Sequence, residues 1–119
     1  MTASIIDGKI ISAEVRAEAK LEVERFVEQY KTKPCLAVVL VGENPASQVY
    51  VRTKSKMAKE IGMDVEDHIK QKDISEEHLI GIINELNNDK RVNGILVQLP
   101  LPDHIDSRVI IDAIDTKKD

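Results

Sequence analysis

The sequence predicts an α/β domain with three layers (αβα), a mainly parallel sheet lying between helices. Stretches of helical periodicity alternate with apolar runs of strand length throughout the 119 residues. The run Cys35-Leu36-Ala37-Val38-Val39-Leu40-Val41 is continuously apolar, the pattern of a strand buried on both faces. Strands separated by helix-length segments are joined most simply as parallel neighbours, with the helices crossing over the sheet.

The first long helix is expected from about Ile10 to Tyr30, because Ile11, Val15, Ala19, Phe26 and Tyr30 recur at three- and four-residue steps. Ile5-Ile6 before it reads as a short strand or lead-in, turned by Asp7-Gly8. Lys33-Pro34 closes that region, and the apolar strand follows until Gly42 breaks it. Asn44 to Ile61 is a second helix, with Gly62 placed for a left-handed cap. Val65 to Ile69 reads as a more exposed strand. A third helix starts at Ser75, turns Leu79, Ile82, Ile83 and Leu86 inward, and ends at Asn87-Asn88-Asp89. Val92 to Gln98 is the third strand, and Leu99-Pro100-Leu101-Pro102 forms a stiff loop after it. A short last helix near Asp106 to Ile114 carries Val109, Ile110, Ala113 and Ile114 inward.

Composition narrows the function classes. Hydrophobic residues make up 42% and charged residues 32%, ordinary for a soluble globular domain. No stretch reaches the roughly 20 apolar residues of a membrane span, and the N-terminus lacks the pattern of a signal peptide. A formal net charge of −4 argues against a nucleic-acid footprint. The local basic cluster Arg52, Lys54, Lys56 and Lys59 reads as a solvated helix face, Lys54 excepted. Cys35, the single cysteine, leaves no internal disulfide and no cysteine-based metal site, and reads as a small core residue. The expected location is a reducing cytoplasm. Histidines 68, 78 and 104 lack metal-ligand spacing, and strand alternation divides Asp64, Glu66, Asp67 and His68 between two faces, so no metal site is expected.

The chemistry concentrates at Tyr50 and Lys54. Four residues apart on a helix, they share one face, a phenol ring beside an ammonium group. Ser47 joins that face if the helix starts at Asn44 or Pro45. Such a stripe could hold a planar ligand and move a proton on it. Gln98 ends an apolar strand, where a buried amide must find partners. It reads equally as a cap for the loop and as an amide orienting Lys54, because both residues belong at the carboxyl edge of the sheet, where ligands of such folds bind. The five glycines are too far apart for a dinucleotide-binding Gly-x-Gly-x-x-Gly turn.

Taken together, these segments resemble a known family. Val41-Gly42-Glu43-Asn44-Pro45-Ala46-Ser47 through Tyr50-Val51-Arg52-Thr53-Lys54 is similar to one signature of the bifunctional methylenetetrahydrofolate dehydrogenase/methenyltetrahydrofolate cyclohydrolase family. Ile83 to Asp89, continuing through Gly94-Ile95-Leu96-Val97-Gln98-Leu99-Pro100-Leu101-Pro102, resembles the second. Ile6-Asp7-Gly8-Lys9 is also typical.

The resemblance implies that residues 1–119 are the amino-terminal, folate-binding catalytic domain of an enzyme of one-carbon metabolism. It makes Lys54 the catalytic lysine and Gln98 its hydrogen-bonding partner. Tyr50 would stack on the folate ring system, Ser47 would line the pocket, and Pro100 and Leu101 would form part of its wall. A lysine can take a proton from water and return one to a departing nitrogen if its surroundings bring its pKa toward neutrality. The implied substrates are tetrahydrofolate derivatives and the implied cofactor of the parent enzyme is NADP, with no metal, no nucleic acid and no membrane involved. The parent is expected to be a homodimer.

Family members continue into a Rossmann-type cofactor domain, and carry an Asp-x-Asp-Gly-like stretch with a pterin-binding carboxylate just beyond Lys118-Asp119. The expectation is therefore a domain truncated at its carboxyl end, unable to dehydrogenate alone and weakened as a cyclohydrolase. A competing reading is a fragment that binds folate or a partner chain without chemistry. A short-chain dehydrogenase, which also uses a Tyr-x-x-x-Lys pair, is disfavoured by the missing glycine-rich turn.

Overall fold

A computed structural model describes the backbone of residues 2–118 and the side chains of residues 15–118. The elements follow in the order α1 (Thr2–Tyr30), β1 (Cys35–Val41), α2 (Pro45–Glu60), β2 (Asp64–Lys70), α3 (Glu76–Asn88), β3 (Gly94–Val97) and α4 (Ser107–Ala113). The three strands form one parallel sheet in the order β2-β1-β3.

The central strand is the most apolar one, as burial on both faces requires. Ala37, Val39 and Val41 point to one side and pack with Leu79, Ile83 and Leu86 of α3 and Ile110 of α4. Val38 and Leu40 point to the other and pack with Val51 of α2. The expected three layers are thus present. Each large side chain buried in this way contributes roughly 1.5–3 kcal/mol.

Local chemistry sets the helix ends. Asn44 caps α2, its Oδ1 accepting from the Ser47 backbone N–H at 3.1 Å, with Pro45 at the first turn where its missing N–H costs nothing. Gly62 follows α2 at φ 97°, the left-handed conformation expected there. Ser75 caps α3 through His78 N–H at 3.0 Å. Asp106 caps α4.

Four expectations change. Ile5-Ile6 lies in α1, not in a strand: one glycine costs a helix interior only about 1 kcal/mol, too little for Gly8 to interrupt it. The expected inward face of α1 is only partly used, since Val15 and Tyr30 are exposed while Val23 and Phe26 are half-buried. Val23 sits near Gly62 and Phe26 near Val65, so the carboxyl half of α1 meets the rest of the chain. Ile11 lies outside the described side chains. The third strand is shorter than Val92–Gln98, because β1 offers it a partner only from Leu36 to Val39. Val109 is exposed, because in a helix of seven residues it turns away from the face that Ile110 buries.

Candidate active site

α2 starts at Pro45, so the condition that places Ser47 on the face of Tyr50 and Lys54 is met. The stripe is graded. Ser47 is 2% exposed at the foot of the helix, whereas Tyr50 is 54% exposed and Lys54 also faces outward. Gln98 follows β3 and is buried, continuing the ladder by donating its backbone N–H to Val39 O at 2.9 Å.

The two segments meet through one contact. Lys54 Nζ donates to Gln98 Oε1 at 2.9 Å. The amide's other end is also used, Gln98 Nε2 donating to Leu99 O at 2.9 Å. Both earlier readings of Gln98 therefore describe real contacts: it secures the loop and it holds the lysine. With Nε2 committed to a carbonyl, only its oxygen is available to Lys54, and an ammonium can only donate. The loop that follows includes a cis peptide at Leu99–Pro100 and leaves Pro100 exposed and Leu101 half-buried.

The arrangement offers an open, cationic helix face opposite a stiff apolar loop at the carboxyl edge of the sheet. It can stack a flat ligand on the Tyr50 ring and present a fixed nitrogen to it. Gly42, at φ 89°, is the single glycine of the turn after β1, and Pro45 brings no N–H to the helix start.

Other polar groups fall elsewhere. His104 Nε2 donates to Ile74 O at 2.7 Å, which fixes its tautomer and ties the loop after Pro102 to the start of α3. His68 Nε2 lies 2.7 Å from Glu66 Oε1 on one face of β2, while Asp67 turns to α2, the division that alternation predicted. Arg52, Lys56 and Lys59 are exposed. Burial, followed by the charges of Glu66 and Asp64, pushes the Cys35 thiol above its ordinary pKa, so it is a poor nucleophile. Sequence reasoning missed the Ser55 Oγ to Asp67 Oδ1 hydrogen bond of 3.2 Å, since no local pattern says which strand residue a helix will meet.

Residues 6–119 match the family model described as tetrahydrofolate dehydrogenase/cyclohydrolase, catalytic domain. The chain belongs to this family. Among the family's members, the bifunctional protein FolD of Rhodopseudomonas palustris (strain HaA2) is 54% identical over 119 residues, all of this chain and 40% of that protein. The FolD of Moorella thermoacetica is also 54% identical over 119 residues, 42% of its length. The chain thus spans about two-fifths of the curated relatives it matches. The crystal structure of the bifunctional FolD methylenetetrahydrofolate dehydrogenase/cyclohydrolase from Campylobacter jejuni superposes with a TM-score of 0.88 at 45% identity, covering 95% of this chain and 40% of that one. A Trypanosoma brucei methylenetetrahydrofolate dehydrogenase-cyclohydrolase, solved with NADP and an inhibitor, gives 0.85 at 31% identity, covering 94% of this chain and 38% of its own.

Proposed function

We propose that this chain is the folate-binding catalytic domain of a methylenetetrahydrofolate dehydrogenase/methenyltetrahydrofolate cyclohydrolase, with Lys54 as its general acid and base. The observation that carries the reading is the 2.9 Å contact between Lys54 Nζ and Gln98 Oε1, a lysine fixed by a buried amide beside an exposed tyrosine.

In the hydrolytic reaction, water adds to the electrophilic methenyl carbon and the ring opens to formyltetrahydrofolate. A proton must leave the water and another must reach the departing nitrogen. Lys54 is the amine of the stripe within reach of a ligand stacked on Tyr50, and Gln98 limits the directions in which its nitrogen can point. Positioning of this kind can supply several kcal/mol of a barrier. Ser47, Pro100 and Leu101 would shape the pocket around the ring. The hydride step of the longer relatives needs a nicotinamide cofactor, NADP in our reading. Among the described residues, the turn after β1 holds the single glycine Gly42 and no glycine-rich cradle for one.

Binding and turnover test separate parts of this reading. Titration with a non-hydrolysable folate analogue should show Tyr50→Ala binding about three- to tenfold more weakly, the scale of one aromatic stack. Lys54→Met should bind with little change and hydrolyse methenyltetrahydrofolate no faster than buffer. Equal binding by Tyr50→Ala would remove the stacking role. Analogue binding by the unmutated chain, with no turnover at all, would favour the binding-only alternative.

A further inference from the structure

Polar contacts tie α2 to the sheet at two successive residues. Lys54 Nζ reaches Gln98 at the end of β3 (2.9 Å), and Ser55 Oγ donates to Asp67 Oδ1 on β2 (3.2 Å). β2 and β3 are the two edges of the sheet, with β1 between them. Neighbouring helix residues point about 100° apart, so the two contacts pull on α2 from different sides of its axis. Between them lies Val51, packed on Val38 and Leu40. Apolar packing is non-directional and permits a small roll or slide. Two hydrogen bonds from different sides of the axis restrain it. Ser55 is 6% exposed, and a buried hydroxyl needs a partner in any case. A partner on the far edge strand gives more: a directional tie, long at 3.2 Å, between α2 and β2.

We infer that Ser55 and Asp67 are positioning residues for Lys54, fixing the rotation of α2 so that Lys54 Nζ stays on Gln98. For catalysis this rests on the proposed role of Lys54. As geometry it stands alone. Neither residue touches the ligand face; both line a groove of about 700 Å³ between α2 and β2, bounded also by Leu40, Arg52 and Ile69.

The test follows the Gln98 side-chain amide in nitrogen–proton correlation spectra of the full 119-residue chain, with Lys54→Met marking the signal of a released amide. Ser55→Ala and Asp67→Ala should each move the Gln98 signals toward that position. Ser55→Thr and Asp67→Asn, which keep a donor and an acceptor, should leave them near the original one. In the hydrolysis assay the two alanine variants should lose about tenfold in kcat with KM little changed, a fraction of what a 1 Å misplacement can cost. The double alanine variant should lose no more than either single one, because both remove the same bond. Gln98 signals unmoved in both alanine variants would overturn the inference, leaving the bond to satisfy a hydroxyl and nothing more. Should Ser55→Ala fail to fold, Asp67→Ala, at an exposed edge position, decides the matter. If Lys54→Met hydrolyses as fast as the unmutated chain, the proposed function fails while the resonance result still judges the tether.

Discussion

Gln98 makes two side-chain contacts, its Oε1 accepting from Lys54 Nζ and its Nε2 donating to Leu99 O, and the proposed chemistry at Lys54 rests on the first. Replacing Gln98 with leucine removes an acceptor for an ammonium group, a bond of about 1.5–3 kcal/mol, so hydrolysis should fall about 10- to 100-fold. A kcat within twofold of the original would show that the lysine needs no partner. Cys35 tests the surroundings at the opposite end of the sheet. Burial and the nearby carboxylates of Glu66 and Asp64 raise its pKa, so the thiol keeps its proton at pH values where a free cysteine has begun to lose its own. Alkylation of the folded chain at pH 8.5 (about the free-thiol pKa) should therefore be slower than of the urea-unfolded chain, and equal rates would contradict this. The stripe of Ser47, Tyr50 and Lys54 was legible in the sequence because it needs only helical periodicity. Glu66 beside His68 followed from alternation, but their 2.7 Å approach did not, being set by side-chain rotamers.

The elements show where sequence reading succeeds and where it stops. β1, α2 and α3 were legible nearly to their ends, since an unbroken apolar run, an Asn-Pro start and a Ser75 cap are local signals. The reach of α1 and the brevity of β3 were not, because both depend on which neighbours exist to pack or pair with. The carboxyl end of α1 also holds strain. Lys31 adopts φ 59°, donating its N–H to Val27 O at 2.8 Å. Glycine takes that conformation without the Cβ penalty, so Lys31→Gly should stabilise the chain by about 0.5–1 kcal/mol in urea denaturation. A loss of stability would show that the lysine side chain offsets its backbone cost. At the end of α3, Lys118 Nζ donates to Leu86 O and Asp89 O, both at 2.8 Å, a cation sharing these carbonyls with the backbone N–H groups of Asp89 and Val92. Lys118→Ala should cost about 1–2 kcal/mol. A change under 0.3 kcal/mol would mean water replaces it fully.

At the scale of the molecule, the parallel order β2-β1-β3 gathers the ends of β1 and β3 at one edge, and the proposed chemistry lies there because α2 leaves from one and Gln98 from the other. Alternating helices and strands made that edge predictable. The polar tie between α2 and β2 was not, for it joins residues whose separation in sequence carries no pattern. The chain spans about two-fifths of its curated relatives, and hydrolysis is the activity we propose for its own residues. The most direct measurement follows the methenyl absorbance of methenyltetrahydrofolate, without nicotinamide cofactor, in buffer, with the chain, and with Lys54→Met shown by circular dichroism to be folded. Our account predicts loss faster than buffer with the chain and equal to buffer with the variant. Equal rates for the chain and the variant would contradict it.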